Sequence, residues 1–593
     1  MNTQLGASST AADIGSLNLS DLHSLLCEIE STNESGDSSL HVDDDTSISK
    51  LSPAQEPPRL SGKNDVPQEA CLQAKVIPQS TYSTGSSHRK QLGHQTVHIL
   101  DLPDEILRHI FGFQATHLLG ISSDNSQIKP LRLVCRRFNE QSSHLLLNRL
   151  TLDFTRSSLE KLETVSKHPI ISKGIRNVHF ELHTWSSTLA ASLSAFARYH
   201  LTNGRDNLLG NISRSPAARV SRRVTHSNSD RRGMVSRALL MYATVDQELP
   251  SVSGLEPVND DGIESVEAYQ RLLRRAHEEY QHLYDYQRKL LKNETFITTV
   301  VSAISRMPAI DKLEFRDFNP LVADQRHVLV PNADSDFAIF QAELYNKLVS
   351  PMPWGAAAGY CQESPIRLLF QLLSGLSDTE VRVTSLKVDF TFSGDSTLLK
   401  ITEPDRHKIT EAMQRLKSFD FKLACSWPTT EPDFSFLTAI TKTRRLSHLR
   451  LHGGGIEQEP SSLAPHLQHE LAIGPVLNRQ QWPSLSTVFL DCVSVNQSTL
   501  SRYVQCLPAG CQLELRKVRL TDGFWVKVLD VLRDCPARVE MLVDPDGGER
   551  RVMAEGEWSS YFGMASGTFW SKSRAEKYIM GWDKVNPLAQ GGW

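Results

Sequence analysis

The chain has 593 residues, a formal charge of -4 and a hydrophobic share of 39%. That balance is ordinary for a globular protein, long enough for several domains or one large stack of repeated units, and it gives no pull toward nucleic acid or a charged membrane surface. No run of about 18 apolar residues occurs, which argues against a helical membrane span. Met1-Asn2-Thr3-Gln4 lacks the basic and apolar regions of a secretory leader. The nine cysteines are scattered with no Cys-x-x-Cys pair. Cys492, Cys506, Cys511 and Cys535 fall in apolar stretches and read as buried thiols, so the chain is expected in a reducing compartment, cytoplasm and/or nucleus.

Residues 1–95 are rich in Ser, Thr, Gln, Asp and Pro and poor in aromatics. Such a segment cannot bury enough apolar surface to offset the entropy of ordering, and it reads as a disordered tail. One island, Leu22, Leu25, Leu26 and Ile29 at helical spacing behind Ser20 and Asp21, is a docking helix, an export-like signal or a transient helix.

The stretch around which the chain is organised follows. Leu102-Pro103 precedes Asp104 and Glu105, where acidic residues suit the positive end of a helix dipole, and Pro103 suits the first helical position. Ile106, Ile110 and Phe113 then recur at helical spacing. In a second block Leu131, Val134, Cys135 and Phe138 share one face, with Arg132, Arg136 and Arg137 elsewhere. So few short helices bury little surface alone and call for a partner or a following domain.

The opening Leu102-Pro103-Asp104-Glu105-Ile106 and the block Leu131-Arg132-Leu133-Val134-Cys135-Arg136-Arg137-Phe138 resemble an F-box over residues 97–150. The connection from Gln114 to Pro130 is longer than is usual there, and Phe138 stands where the family often has Trp. The resemblance implies a module that docks on the SKP adaptor and, through it, on the cullin–RING subunits of an SCF-type ubiquitin ligase. It assigns adaptor contact to Leu102, Pro103, Ile106, Ile110, Leu133, Val134, Cys135 and Phe138.

Downstream, Leu150–Phe154 and Ile175–Leu182 alternate as half-buried strands about a helix from Ser158 to His168. An Arg/Ser-rich insert at 203–237 reads as a flexible solvated loop. Its arginines could also serve nuclear import or anion binding, and Ser215 and Ser227 could serve basophilic kinases. A long helix from Ile263 to Lys292 keeps a near-heptad seam but lacks sustained Leu/Ile, so it is expected to pack across the body rather than form a coiled coil.

From Phe296 the chain repeats a helix followed by a short strand. The strands are read at Leu313–Arg316, Leu386–Phe390, Phe419–Leu423, Leu446–Leu451, Leu485–Leu490, Leu513–Leu515 and Val539–Val543. No such unit buries both faces alone, so the units should stack. The expected fold class is α/β: a short all-α F-box, then over 151–593 an irregular helix–strand solenoid with parallel strands, resembling degenerate leucine-rich repeats. The segments from Trp482 and from Val518, with Ala575–Ile579, are similar to the repeats and tail of filamentous-fungal F-box proteins. The aromatic stretch 545–593 reads as a cap on the open end of the core.

No phosphate loop, nucleophile elbow or metal-ligand spacing is present. Gly453-Gly454-Gly455 lacks the Lys and Ser/Thr of a phosphate loop and reads as a turn. Asp43–Asp45 lie in the tail, where no fixed metal geometry is available. No catalytic residue, metal or other cofactor is expected. The chain reads as a non-catalytic receptor for an unspecified protein substrate, with an interaction scaffold outside a ligase as the alternative. The outward strand residues Glu314, Arg316, Lys387, Lys422, His448, Arg450 and Glu514 are the candidate target-binding set.

Overall fold

The structure is a computed structural model describing residues 99–117, 128–202, 225–243, 265–292, 294–317, 336–352, 366–391, 400–423, 434–453, 471–478, 482–562 and 572–589. The tail at 1–95, with its Leu22–Ile29 island and Asp43–Asp45, lies outside the described residues. Contacts divide the chain into Met1–His109 and Ile110–Trp593.

In the first unit a 3-10 turn, Ile99–Asp101, precedes helix α1, Asp104–His117, whose later residues belong to the second unit. Pro103 sits one position earlier than expected. Its carbonyl accepts the N–H groups of Ile106 and Leu107, both at 3.1 Å, so it caps the helix rather than opening it. Asp104 and Glu105 occupy the first turn.

The second unit begins with the rest of α1, then α2 (Ile128–Val134) and α3 (Arg136–Ser142). The nine-stranded sheet follows. Its strands are β1 (Arg149–Leu152), β2 (Asn177–Glu181), β3 (Lys312–Arg316), β4 (Ser385–Phe390), β5 (Ser418–Leu423), β6 (His448–His452), β8 (Thr487–Asp491), β10 (Gln512–Arg516) and β12 (Arg538–Val543). They stand in that order and every pairing is parallel. Each strand has one apolar set turned inward: Val178 and Phe180, Leu313 and Phe315, Leu386 and Val388, Phe419 and Phe421, Leu449 and Leu451, Val488 and Leu490 are all buried. Alternation at period two leaves the intervening side chains on the opposite face.

A helical layer covers the apolar face. Its members are α4 (Arg156–Lys167), α9 (Thr295–Ser305), α11 (Ile366–Gly375), α12 (Glu403–Ala412), α13 (Ser435–Ile440), α14 (Gly474–Leu477), α15 (Gln497–Gln505) and α16 (Trp525–Asp534). Consecutive members touch in the order in which the strands pair. Thr155, Thr402 and Asn496 cap α4, α12 and α15 by accepting a backbone N–H three residues on, which ends the preceding segment and starts the helix.

Past β6 a corner recurs after each main strand. Cys492, Lys517 and Asp544 adopt left-handed φ of 51°, 46° and 46°. Each turns the chain into a short second strand: β9 (Val493–Val495), β11 (Arg519–Leu520) or β13 (Asp546–Gly547). With β7 (Leu471–Ala472) these form a second parallel sheet in the order β13-β11-β9-β7. At the β6 corner a Cβ on Gly453 would lie 2.4 Å from the Leu471 Cβ and 2.6 Å from the Cys492 carbonyl oxygen. Close approach of strands requires this glycine.

Between β2 and β3 the chain leaves the sheet for α5 (Ser187–Ala191), α6 (Leu193–Thr202), α7 (Thr225–Ala243) and α8 (Val266–Lys292), and α10 (Asp336–Val349) joins them after β3. Helix α8 packs against α5, α7 and α10 within this chain, burying Ala268, Tyr269, Leu273, Ala276 and Tyr280. Helix α7 corrects the reading of 203–237 as a loop from Thr225 onward. Val235, Ala238, Leu239 and Tyr242 form a buried stripe, and the buried Arg231 lies over the Phe340 ring. The density of arginines and serines obscured that periodicity.

At the far edge, α18 (Arg574–Ile579) packs against β12, and α17 (Glu555–Phe562) packs against α18. Glu576 accepts the Leu542 N–H at 3.3 Å, and the Lys572 ammonium donates to the Glu540 carbonyl at 2.6 Å. The exposed row of an edge strand is thereby covered. The thiols depart from expectation: of the four singled out only Cys511 is buried, and Cys506 is exposed.

Candidate functional site

Each adaptor-assigned residue has a definite place. In the first unit Leu102 is half-buried, Pro103 exposed and Ile106 47% exposed. In the second, Ile110 is half-buried. The second block is not one continuous helix. Cys135, in extended conformation, breaks it, and its Sγ accepts the Phe138 N–H at 3.4 Å, capping α3. The break removes the expected common face. Leu133 and Val134 end α2 in solvent, 87% and 62% exposed. Phe138 is buried and meets Phe111 edge-on at 5.0 Å, so its ring belongs to the interior and is not presented as surface. Arg132 fixes the two helices by donating from Nε to Asn139 Oδ1 at 2.9 Å and Ser143 Oγ at 3.1 Å.

The seven strand residues chosen as a target-binding set do stand on the polar face of one sheet. Register places His179, Glu314, Lys387, Asp420, Arg450, Phe489 and Glu514 in one row from β2 to β10. One step along the strands, Glu181, Arg316, Asp389, Lys422, His452, Asp491 and Arg516 form the next. Opposite charges pair across strands, Lys387 with Asp420 at 3.4 Å and Lys422 with Asp389 at 3.6 Å, and the His452 ring is hydrogen-bonded to Asp491 at 2.8 Å. Such cross-strand pairs each contribute a fraction of a kcal/mol.

Glu314 corrects the expectation of an exposed residue. It is 5% exposed and accepts from Arg149 (3.3 Å), His179 Nδ1 (3.0 Å), Lys312 (2.6 Å) and Asn177 (3.2 Å). Burial pushes its carboxyl up, but the His179 and Lys312 bonds and the Arg149 charge outweigh that and hold it well below the usual carboxylate range. Desolvation pulls the buried His179 down. Arg149 also reaches its Nδ1, at 2.6 Å. A neutral ring serves one of the two partners at a time, accepting from Arg149 or donating to Glu314. Asp491 lies below its ordinary value, burial being outweighed by the His452 bond.

Phe489 is the residue that the charge pattern missed. Arg450 lies 4.7 Å and Arg516 5.0 Å from its ring centroid, so two guanidiniums stack on one aromatic side chain. Its outward position was readable from the alternation in Thr487–Asp491, whereas the arginines beside it depend on register between strands. Arg516 also pairs with Glu514 at 3.1 Å. His448 is exposed and bonded to Ser447.

Among the described residues no group of three or more His, Cys, Asp or Glu side chains could hold a metal ion. No helix among them is long and apolar enough to cross a membrane. No family model and no curated protein matches the chain.

Proposed function

We propose that the protein is a substrate receptor of an SCF-type ubiquitin ligase, with an F-box over residues 97–150 that holds the SKP adaptor and a leucine-rich-repeat-like body that holds the protein to be ubiquitinated. The observation that carries this reading is the exposure of Leu133 and Val134, adjacent apolar side chains in the F-box-like block. Exposed apolar residues held on short helices are what an obligate partner would cover. The body supports the second half: ordered helices over a parallel sheet, with one sheet face polar, suit a repeat solenoid that presents its strands to a ligand. Ubiquitin transfer would then belong to partner subunits.

The test is co-purification of adaptor and cullin with the full chain and with a Leu133→Asp, Val134→Asp double variant. Interface-centre truncations cost on the order of 2–4 kcal/mol each, so the variant should lose both partners while keeping the wild-type unfolding midpoint. Equal recovery of adaptor by a folded variant would refute the reading.

A further inference from the structure

On the polar sheet face the charges do not fully cancel. Asp389, Asp420, Asp491, Glu314 and Glu514 each have a cationic or histidine partner nearby. Arg450 stands exposed with its guanidinium on the Phe489 ring. Register sets Asp420 beside it, and Glu181 and Asp389 on either side of Arg316, yet among the described residues neither arginine forms an ion pair: Asp420 and Asp389 are engaged by Lys387 and Lys422, and Glu181 faces His179. The Arg316 Nε is enclosed and has no acceptor among the described residues. Among the described residues the face therefore offers two guanidiniums that no carboxylate holds in a direct ion pair, and stacking on Phe489 fixes one of them in place.

Their spacing defines a ligand. Arg316 is on β3 and Arg450 on β6, three strand steps away and one row across. Neighbouring strands lie about 4.8 Å apart, so the backbones at the two sites are roughly 14–16 Å apart. An extended peptide advances about 3.3 Å per residue with alternate side chains on one side, so residues i and i+4 span about 13 Å on a common side. The arginine arms cover the remainder.

We propose that the polar face binds an extended acidic peptide segment of the target, with one carboxylate on Arg316 and a second, four residues away, on Arg450. This names the ligand class of the receptor's body and rests on the receptor reading for its setting. Bidentate guanidinium–carboxylate contacts would supply the recognition. Lys387 and Lys422 are already engaged with Asp420 and Asp389 and would tune the field rather than bind directly.

The test is fluorescence anisotropy at low salt with the full chain and labelled Gly/Ser peptides carrying Glu at i and i+4, Glu at i and i+1, or Gln at both positions. The i, i+4 peptide should bind about tenfold more tightly than either comparator, a factor equal to about 1.4 kcal/mol. Arg316→Gln and Arg450→Gln should each remove that advantage, and Arg450→Lys should restore only part of it, with unfolding midpoints unchanged. Absent binding, equal binding of all three peptides, or indifference to the arginine variants would overturn the proposal. So would a labelled oligouridylate that binds more tightly and displaces the peptide. Adaptor co-purification on the same variants separates the two readings. Peptide selectivity without adaptor capture would sink the receptor reading alone, and adaptor capture without selectivity would sink this one alone.

Discussion

The Glu549 carboxylate accepts the backbone N–H groups of Trp525 at 2.7 Å and Val526 at 2.9 Å, and so caps α16 from a segment beyond β12. Phe524, at the cap position, supplies no side-chain bond of its own. Glu549 is fully buried, and a negative group at a helix N-terminus also meets the dipole. Glu549→Ala should therefore lower stability by about 2–3 kcal/mol in urea unfolding, since it orphans two buried donors. Glu549→Gln keeps one good acceptor and should cost less. An Ala variant within about 0.5 kcal/mol of wild type would show that water replaces the carboxylate.

Acid should weaken the fold through its buried histidines. His200 is buried against Phe196 and Tyr199, and desolvation pulls it down to about 4. The unfolded chain takes up this proton near pH 6.5 and the folded chain only near 4, so stability falls as pH drops through that window and the loss is complete below it. The difference amounts to about 3 kcal/mol. His179 and His277 are lowered by desolvation too and act in the same direction. Replacing His200 by Leu should flatten the slope of unfolding free energy between pH 6.5 and 4. An unchanged slope would place the sensitivity elsewhere.

Glu314 and Lys422 occupy one sheet face but should differ widely in their sensitivity to charge reversal. Glu314→Lys leaves Arg149 and Lys312 beside a third cation in a buried site and should cost several kcal/mol, on the order of a broken buried pair. Lys422→Glu disturbs one half-exposed pair with Asp389 and should stay within about 1 kcal/mol. Thermal unfolding of both variants tests the difference. Equal midpoints would contradict the burial of Glu314.

Removing the chain from Glu555 onward uncovers β12. The Leu542 N–H and Glu540 carbonyl lose their Glu576 and Lys572 partners, and the buried Trp558 and Tyr578 are deleted. The truncated protein should aggregate through the bare edge, visible in light scattering at concentrations where the full chain stays dispersed. A clear monomeric truncation would mean that α17 and α18 are dispensable.

The strands were legible because alternation is local. Each of the seven read from Leu313 onward coincides with a sheet strand to within a few residues. What composition hid was α7, whose apolar stripe is diluted by arginine and serine. What register hid was the fate of individual polar residues. Nothing in the sequence near Glu314 shows that Arg149 and His179, from two other strands, enclose it. Phe138 fits the family pattern yet faces inward, because the chain breaks at Cys135. Phe489 went unnoticed because a lone outward aromatic gains meaning only from the two arginines beside it.

The excursion through α5 to α8 bears on how the sheet assembles. His179 of β2 meets Glu314 of β3 across 135 positions, whereas Ser447 meets Lys417 at the β5–β6 junction across 30. Closing the longer loop costs only about 1.3 kcal/mol more, because the entropy grows with the logarithm of length. The search, however, must bring distant segments together before their contacts reward it. The block from β4 to β12 can zip by neighbouring contacts, whereas β1 and β2, though close in sequence, form only a marginal two-stranded pair until the excursion orders and β2 meets β3. Refolding should accordingly show protection of the Val388 and Leu451 amides ahead of those in Val178–Phe180.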